Sequence, residues 1–284
     1  MTPPASTTAR AATATLFVDE PFRSLWQGRD PFAAVEALEG EVFRELEGRR
    51  TLRTEVGGRA YFVKIHRGVG WGEIFKNLLS LRLPVLGARN EWRAIARLGE
   101  VGVATMRAVA FGERGRNPAR QHSFIITEAL APTVSLEDYC RDWPSAPPPP
   151  ALKRALIGRV AEMARRMHEG GMNHRDFYLC HFLLHTAPPP APDALRLSLI
   201  DLHRSQVRRR TPRRWRDKDL AGLYFSALEI GLTRRDLLRF LRAYFPGPLR
   251  ATLRREAALL RSLARRADKL HARYLRKYAP EARE

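Results

Sequence analysis

The hydrophobic pattern changes period part-way along the chain, and that change excludes most folds at once. Between Glu41 and Ile65 the residues alternate in short runs: Val42-Phe43, then Thr51-Leu52-Arg53-Thr54-Glu55, then Tyr61-Phe62-Val63-Lys64-Ile65. Gly48 punctuates the first gap and Gly57-Gly58 the second, a strong hairpin signal, so the stretch reads as a three-stranded antiparallel meander. A helix is expected from about Asn90 to Gly99, and two more strands around Met106 to Phe111 and Ser123 to Thr127. Beyond the proline-rich stretch Ser145 to Pro150 the period becomes helical. Leu152, Leu156, Ile157, Val160, Met163, Ala164 and Met167 make one stripe that ends near Gly170-Gly171. Short strands at Phe182 to Leu184 and Leu197 to Ile200 flank a second proline-rich loop. Everything after Asp219 reads as helix, broken at Pro246-Gly247-Pro248.

Strands first and helices afterwards specify an α+β arrangement of two lobes with a cleft where they meet. The expected division is a partly flexible lead over residues 1–30, a β-rich lobe over 31–130 interrupted by an insertion at 66–89, and a mainly helical lobe over 131–284 that ends in a basic helix. With 284 residues, 44% of them hydrophobic, a substantial core can be buried. No run approaches the roughly 18 apolar residues of a membrane span, and Met1 to Val18 lack a continuous apolar signal core, which argues against secretion. Cys140 and Cys180 are too few to staple the chain and suit a reducing compartment.

Charge narrows the choice of partners. Fifty Lys and Arg against thirty Asp and Glu leave +20, and residues from Gln206 onward carry 22 basic and 8 acidic side chains. Such a surface attracts polyanions: nucleic acid, anionic lipid headgroups or an acidic protein. Only six of the fifty are Lys, and Arg grips phosphate and carboxylate in a bidentate way that Lys cannot. A base composition that favours Arg codons explains part of that excess and leaves the net sign unexplained.

Three short strings carry the chemistry. Val63-Lys64-Ile65 places a Lys in an apolar strand, either an ordinary edge lysine or an amine presented over a cleft. Met167-His168-Glu169-Gly170-Gly171-Met172-Asn173-His174-Arg175-Asp176 puts a His-Arg-Asp triplet on the loop after the long helix. Leu197-Ser198-Leu199-Ile200-Asp201 ends a strand in Asp, a turn former or cap in one reading and a metal ligand in the other.

In this order the strings resemble the protein-kinase-like superfamily, and Glu91, on the helix after the Lys strand, completes the set. The resemblance implies a two-lobed kinase-like fold with an antiparallel β N-lobe holding one helix and a mainly α-helical C-lobe. It implies that Lys64, held by Glu91, neutralises ATP phosphates, that Asp201 holds Mg²⁺, and that Asp176 orients the attacking hydroxyl and accepts its proton. Lys64, Arg49 and Glu128 are then the nucleotide contacts. The chain departs from the pattern in three ways. Glu47-Gly48-Arg49-Arg50 stands where a Gly-x-Gly-x-x-Gly turn is usual, so Arg49 and Arg50 replace a glycine nest at the phosphate. His181 stands where an Asn ligand is usual, with a hydrogen bond to Asp176 or phosphate as its expected role. Ala279-Pro280-Glu281 lies 78 residues past Asp201 and is a chance match, not an activation-segment anchor. The short span from Asp201 to Asp219 leaves no room for a long peptide-docking segment, which favours a small-molecule or glycan acceptor.

Asn173 to Leu183, Ile200-Asp201-Leu202-His203-Arg204, Lys218-Asp219-Leu220-Ala221-Gly222-Leu223-Tyr224-Phe225-Ser226 and Gly40 to Glu45 are similar to the bacterial lipopolysaccharide core heptose(I) kinase family over roughly residues 30 to 245. His181 in place of Asn is typical of that family. The resemblance implies ATP-dependent phosphorylation of the 4-hydroxyl of the first heptose of the inner core, at the cytoplasmic face of the inner membrane. Asp219 matches the residue that opens the long C-lobe helix and braces the catalytic loop; an N-cap is its plainer reading. The acceptor is an anionic glycolipid, with Arg208, Arg209, Arg210, Arg213, Arg214 and Arg216 as its docking cluster or, alternatively, a solvated charge run. An acidic partner such as acyl carrier protein can use the same basic surface, and nucleic acid is not expected.

Other readings stay open at this stage. Trp71, Ile74, Phe75, Leu78 and Leu79 form one helical face that either packs on its own sheet or meets lipid. Leu253, Leu260, Leu263, Ala267, Leu270 and Tyr274 form another, which docks on the helical lobe or lies on an anionic membrane. His174, Asp176, His181, His185 and His203 raise a transition-metal site, although their spacing matches no usual zinc motif. The competing functions are a kinase of the same fold acting on another small molecule or a protein, and a non-catalytic polyanion binder.

Overall fold

The computed structural model describes residues 9–11, 14–46, 48–68, 70–79 and 87–278. The Ala279-Pro280-Glu281 string, Glu47 of the first turn and residues 80–86 of the insertion lie outside the described residues. The chain divides into two compact units, one formed by residues 1–96, 106–130 and 202–204, the other by 97–105, 131–201 and 205–284.

The first unit is built on a seven-stranded antiparallel sheet. Its strands are β1 (Ala9–Ala11), β2 (Ala14–Val18), β3 (Glu41–Leu46), β4 (Arg49–Val56), β5 (Arg59–His66), β6 (Ala108–Arg114) and β7 (His122–Glu128), in the spatial order β1-β2-β6-β7-β5-β4-β3. The meander expected over 41–65 is β3 to β5. Gly57 and Gly58 both take positive φ, +57° and +72°, the geometry of a tight turn whose twist matches its strands. Period two then sorts the strands into faces. Tyr61, Val63 and Ile65 of β5, with Phe124 and Ile126 of β7, pack against Phe22, Trp26, Phe32 and Val35 from α1 (Phe22–Leu25) and α2 (Pro31–Glu36). Ile125 and Phe111 point the other way, toward Trp92 and Ile95 of α4 (Arg89–Glu100), and the Trp92 ring stacks on Phe111 at 5.0 Å.

Residues 14–30 of the lead form part of the first unit's fold. β2 pairs with β6, while Phe22 and Trp26 are 0% and 5% exposed. Aromatic residues scattered through a short turn and a single helical turn leave no period to read, so their burial is decided by the sheet they cover. α3 (Gly70–Leu79) forms where the Trp71 stripe predicts a helix, with Trp71, Phe75 and Leu79 exposed.

The second unit is mainly helical: α5 (Leu136–Tyr139), α6 (Pro150–Glu169), α7 (Arg213–Ser226), α8 (Arg234–Tyr244), α9 (Leu249–Arg255) and α10 (Ala257–Tyr278). The α6 stripe is buried as its spacing predicts, from Leu152 to Met167. A three-stranded sheet joins β8 (Thr133–Ser135), β10 (Phe182–His185) and β11 (Leu197–Leu199), and β9 (Met172–Asn173) pairs with β12 (Gln206–Val207). The chain thus reverses after α6 and returns through the β10–β11 hairpin, which fixes the loop between β9 and β10. The tail docks: Leu263 and Ala267 of α10 are buried, while Tyr274 stays half exposed. Helices and loops of this unit also enclose an apolar cavity of about 370 Å³, lined in part by Leu156, Phe240 and Leu260. Among the described residues no helix is long and apolar enough to cross a membrane.

Candidate active site

Lys64 lies on the face of β5 that Tyr61, Val63 and Ile65 do not use, the face covered by α4. Its Nζ donates to Glu91 Oε1 at 2.8 Å and Oε2 at 3.1 Å. Glu91 is 1% exposed. Buried carboxylates persist when paired, and this pairing aligns the amine against one partner and leaves it a third N–H group to donate. Nearby, Arg49 opens β4 directly across from His66. Burial pushes the His66 imidazole down to about 3, helped by the charges of Arg49, Lys64 and His203. The ring is neutral at physiological pH within a cluster of cations, an electrostatic setting that favours an anion. Arg50 is committed elsewhere, donating to the Glu36 carbonyl at 3.3 Å. Glu128, at the end of β7, spends its carboxylate on Arg107 at 2.8 Å and its N–H on the Arg107 carbonyl.

In the second unit the His-Arg-Asp triplet follows β9, held from below by Asp219. One Asp219 oxygen accepts from the His174 N–H at 2.6 Å and the other from the Arg175 N–H at 2.8 Å. His168 Nε2 lies 3.3 Å from the same carboxylate and its Nδ1 is 2.8 Å from the Tyr244 hydroxyl. Asp219 braces the loop as expected, but it neither opens the helix nor caps it. α7 begins at Arg213 after Pro212, so Asp219 sits in its second turn, 1% exposed. Proline at the N-cap position and a first turn of arginines hid that start from the sequence. Arg175 takes φ +78° and Asp201 φ +60°, two non-glycine residues in the left-handed region, where strain is tolerated only if the surroundings hold it.

Those surroundings are histidines. His174 is fully buried, which pushes its pKa below the ordinary value, and it donates from Nε2 to the Ile200 carbonyl at 2.8 Å, tying the triplet to the residue before Asp201. His181 donates from Nδ1 to the Asp176 carbonyl at 2.6 Å, and its Nε2 faces Asp201 Oδ2 at 3.3 Å. His181 therefore binds Asp176 through the main chain and not through the carboxylate. The Asp201 carboxylate is the oxygen ligand that would suit Mg²⁺, an ion that takes one or two carboxylates and completes its shell with phosphate and water; the His181 nitrogen suits it poorly. A histidine-rich transition-metal centre is a different matter. Among the described residues no group of three or more His, Cys, Asp or Glu is arranged to hold one, and His185 bonds Ser198 Oγ at 2.9 Å instead.

The six arginines of the 208–216 run differ in their partners and exposure. Arg208 donates to Asn173 Oδ1 and Gln206 Oε1, both at 2.6 Å, and Arg216 pairs with Asp217 at 2.8 Å. Arg209, Arg210 and Arg213 are exposed. Arg214 alone of the six enters a concave basin of about 410 Å³ between α7 and α10, with Arg175, Lys218, Arg266, Lys269 and Arg273. Sequence reasoning missed that basin, although positions 266, 269 and 273 share a helical face. Only the packing of α10 on α7 pairs that face with positions 214 and 218.

Comparison with known proteins agrees with this geometry. Residues 33–244 match the "Lipopolysaccharide kinase (Kdo/WaaP) family". The chain is 69% identical, over 258 residues that cover 91% of it and 96% of the relative, to the lipopolysaccharide core heptose(I) kinase WaaP of Pseudomonas aeruginosa. It is 57% identical over 91% of its length to the enzyme of the same name from Escherichia coli K12, of which it covers 97%. Among solved structures, WaaP in complex with acyl carrier protein matches with a TM-score of 0.81 and 64% identity, over 90% of this chain and 99% of that one. A match over residues 33–244, with relatives this similar along nearly their whole length, means that the chain belongs to the lipopolysaccharide kinase (Kdo/WaaP) family.

Proposed function

We propose that the protein is an ATP-dependent kinase that phosphorylates the first heptose of the lipopolysaccharide inner core, at its 4-hydroxyl. The observation that carries this reading is the 69% identity, over nearly the full length of both chains, to a lipopolysaccharide core heptose(I) kinase. The residues supply matching chemistry. Lys64, aligned by Glu91, offers a fixed positive charge to the phosphates of ATP, with Arg49 and the neutral His66 beside it and Glu128 as a further nucleotide contact. Asp176 orients the heptose hydroxyl and takes its proton, a role worth about 10²–10⁴ in rate. Asp201, with His181 at its side, holds the Mg²⁺ that would neutralise charge on the phosphates. Asp219, His168 and His174 hold the loop still, so that little reorganisation is left for the moment of transfer.

The acceptor is anchored in a membrane, and the exposed Trp71, Phe75 and Leu79 together with the +20 charge suit peripheral attachment to the anionic inner face of the inner membrane. An acidic carrier protein is a second partner that this charge favours, in keeping with the WaaP complex. The test is transfer of γ-phosphate from ATP to purified core lipopolysaccharide. Transfer that disappears in Asp176→Ala and in Asp201→Ala supports the reading. Turnover that ignores lipopolysaccharide assigns a different acceptor, and no turnover at all leaves a polyanion binder.

A further inference from the structure

The basin between α7 and α10 gathers Arg175, Arg214, Lys218, Arg266, Lys269 and Arg273 with no acidic residue in its lining. Trp215 forms part of its wall, and three of these cations crowd that one indole: Arg214 at 5.2 Å, Lys218 at 5.5 Å and Arg175 at 5.6 Å from the ring centre. Cation–π attraction offsets part of the repulsion among like charges, and their common sign favours an anion in the basin. The indole Nε1, buried, has no acceptor among the described residues. Tyr178 lines the same space, giving a second aromatic face. Gly222 keeps α7 close to the loop: a Cβ there would lie 3.1 Å from the Phe177 carbonyl and 3.1 Å from the Tyr178 ring.

Two features select the occupant. The basin is concave and holds about 410 Å³, the scale of a small-molecule site and more than a lone phosphate needs. Two of its walls, Arg175 and Tyr178, flank Asp176 in sequence, so whatever binds there lies beside the hydroxyl being activated. We propose that this basin, and not the 208–216 run as a whole, recognises an anionic group, phosphate or carboxylate, carried by the sugars next to the phosphorylated one. The inference rests on the glycolipid-kinase reading and assigns its acceptor specificity. Arginine forks grip the anion in a bidentate way and the aromatic faces carry the sugar ring.

The experiment compares the triple variant Arg266→Gln, Lys269→Gln, Arg273→Gln with a charge-matched control, Arg235→Gln, Arg250→Gln, Arg254→Gln, whose positions are exposed on α8 and α9. The basin variant is expected to raise KM for core lipopolysaccharide at least tenfold while KM for ATP and kcat stay within twofold, and the control to leave all three within twofold. Lys269→Gln alone, expected to give three- to tenfold, serves if the triple variant does not fold. With an acceptor stripped of its phosphates, a basin variant that no longer differs from wild type identifies phosphate as the group, and one that still differs identifies carboxylate. Unchanged KM, or an equal rise in the control, overturns the inference. So does a variant that keeps its acceptor KM but loses acyl carrier protein, which would make the basin a protein-docking face. Binding of fluorescent core lipopolysaccharide without ATP separates the two layers. Wild type that binds it through the basin but transfers nothing sinks the kinase reading alone, whereas transfer with equal binding by variant and wild type sinks the basin alone.

Discussion

Asp219, in the second turn of α7, accepts the His174 N–H at 2.6 Å across 45 residues of sequence, and its other oxygen accepts from Arg175. Both donors are main-chain groups, so the carboxylate holds the shape of the loop and not any one side chain. Asp219→Asn turns one acceptor into an NH₂ that faces an N–H. The loss of a charge-assisted bond in a buried site costs about 1.5–3 kcal/mol. Thermal melting should show that loss, and kcat should fall at least a hundredfold with KM for ATP little changed.

The Lys64–Glu91 pair makes a different prediction, because one partner is buried. Lys64→Met strands the Glu91 carboxylate, and breaking such a pair from one side costs about 3–5 kcal/mol. The double variant Lys64→Met, Glu91→Gln removes the stranded charge. Urea unfolding should recover most of the stability in the double variant while phosphotransfer stays absent from both.

Acid should unfold the protein partly through His66. Its folded value, about 3, lies below the ordinary 6.5, so the unfolded chain binds a proton that the folded chain refuses. The associated stability is complete above pH 6.5 and is lost as pH falls from there toward 3, at up to about 1.4 kcal/mol per pH unit. His66→Asn should therefore lose less stability than wild type between pH 7.5 and 5, read as the difference in urea midpoint.

Burial raises the Cys140 thiol to about 12 and the Cys180 thiol to about 11. Thiolate is the reactive form, so native protein should alkylate with iodoacetamide at pH 8 at least a hundredfold more slowly than a free cysteine. Denaturant should bring both to the ordinary rate, as intact mass would record.

Trp71, Phe75 and Leu79 are 50%, 58% and 86% exposed. Replacing all three with Ser should shift stability by no more than about 0.5 kcal/mol per site, as surface substitutions do. Flotation with anionic vesicles should fall severalfold; undiminished flotation would leave the stripe without a lipid role.

Much of this molecule follows from local pattern. Period two from Glu41 to Ile65 and the paired glycines set the meander, and period 3.6 from Leu152 to Met167 set α6. These signals are legible because each depends on neighbours a few positions apart. What depends on distant partners was not. Phe22 and Trp26 belong to the core because β2 pairs with β6, far along the chain, and no periodicity announces that. For Asp219 the sequence left two readings, a helix cap and a brace for the loop; only the fold shows α7 starting at Arg213 and the carboxylate holding two N–H groups 44 and 45 residues away. The six arginines are adjacent in sequence, yet Arg208 and Arg216 bond local acceptors while Arg214 lines the basin. The basin that concentrates charge draws Arg214 and Lys218 from one helix and Arg266, Lys269 and Arg273 from another. A charge acts through space, and only the packing of α10 on α7 decides which charges share it.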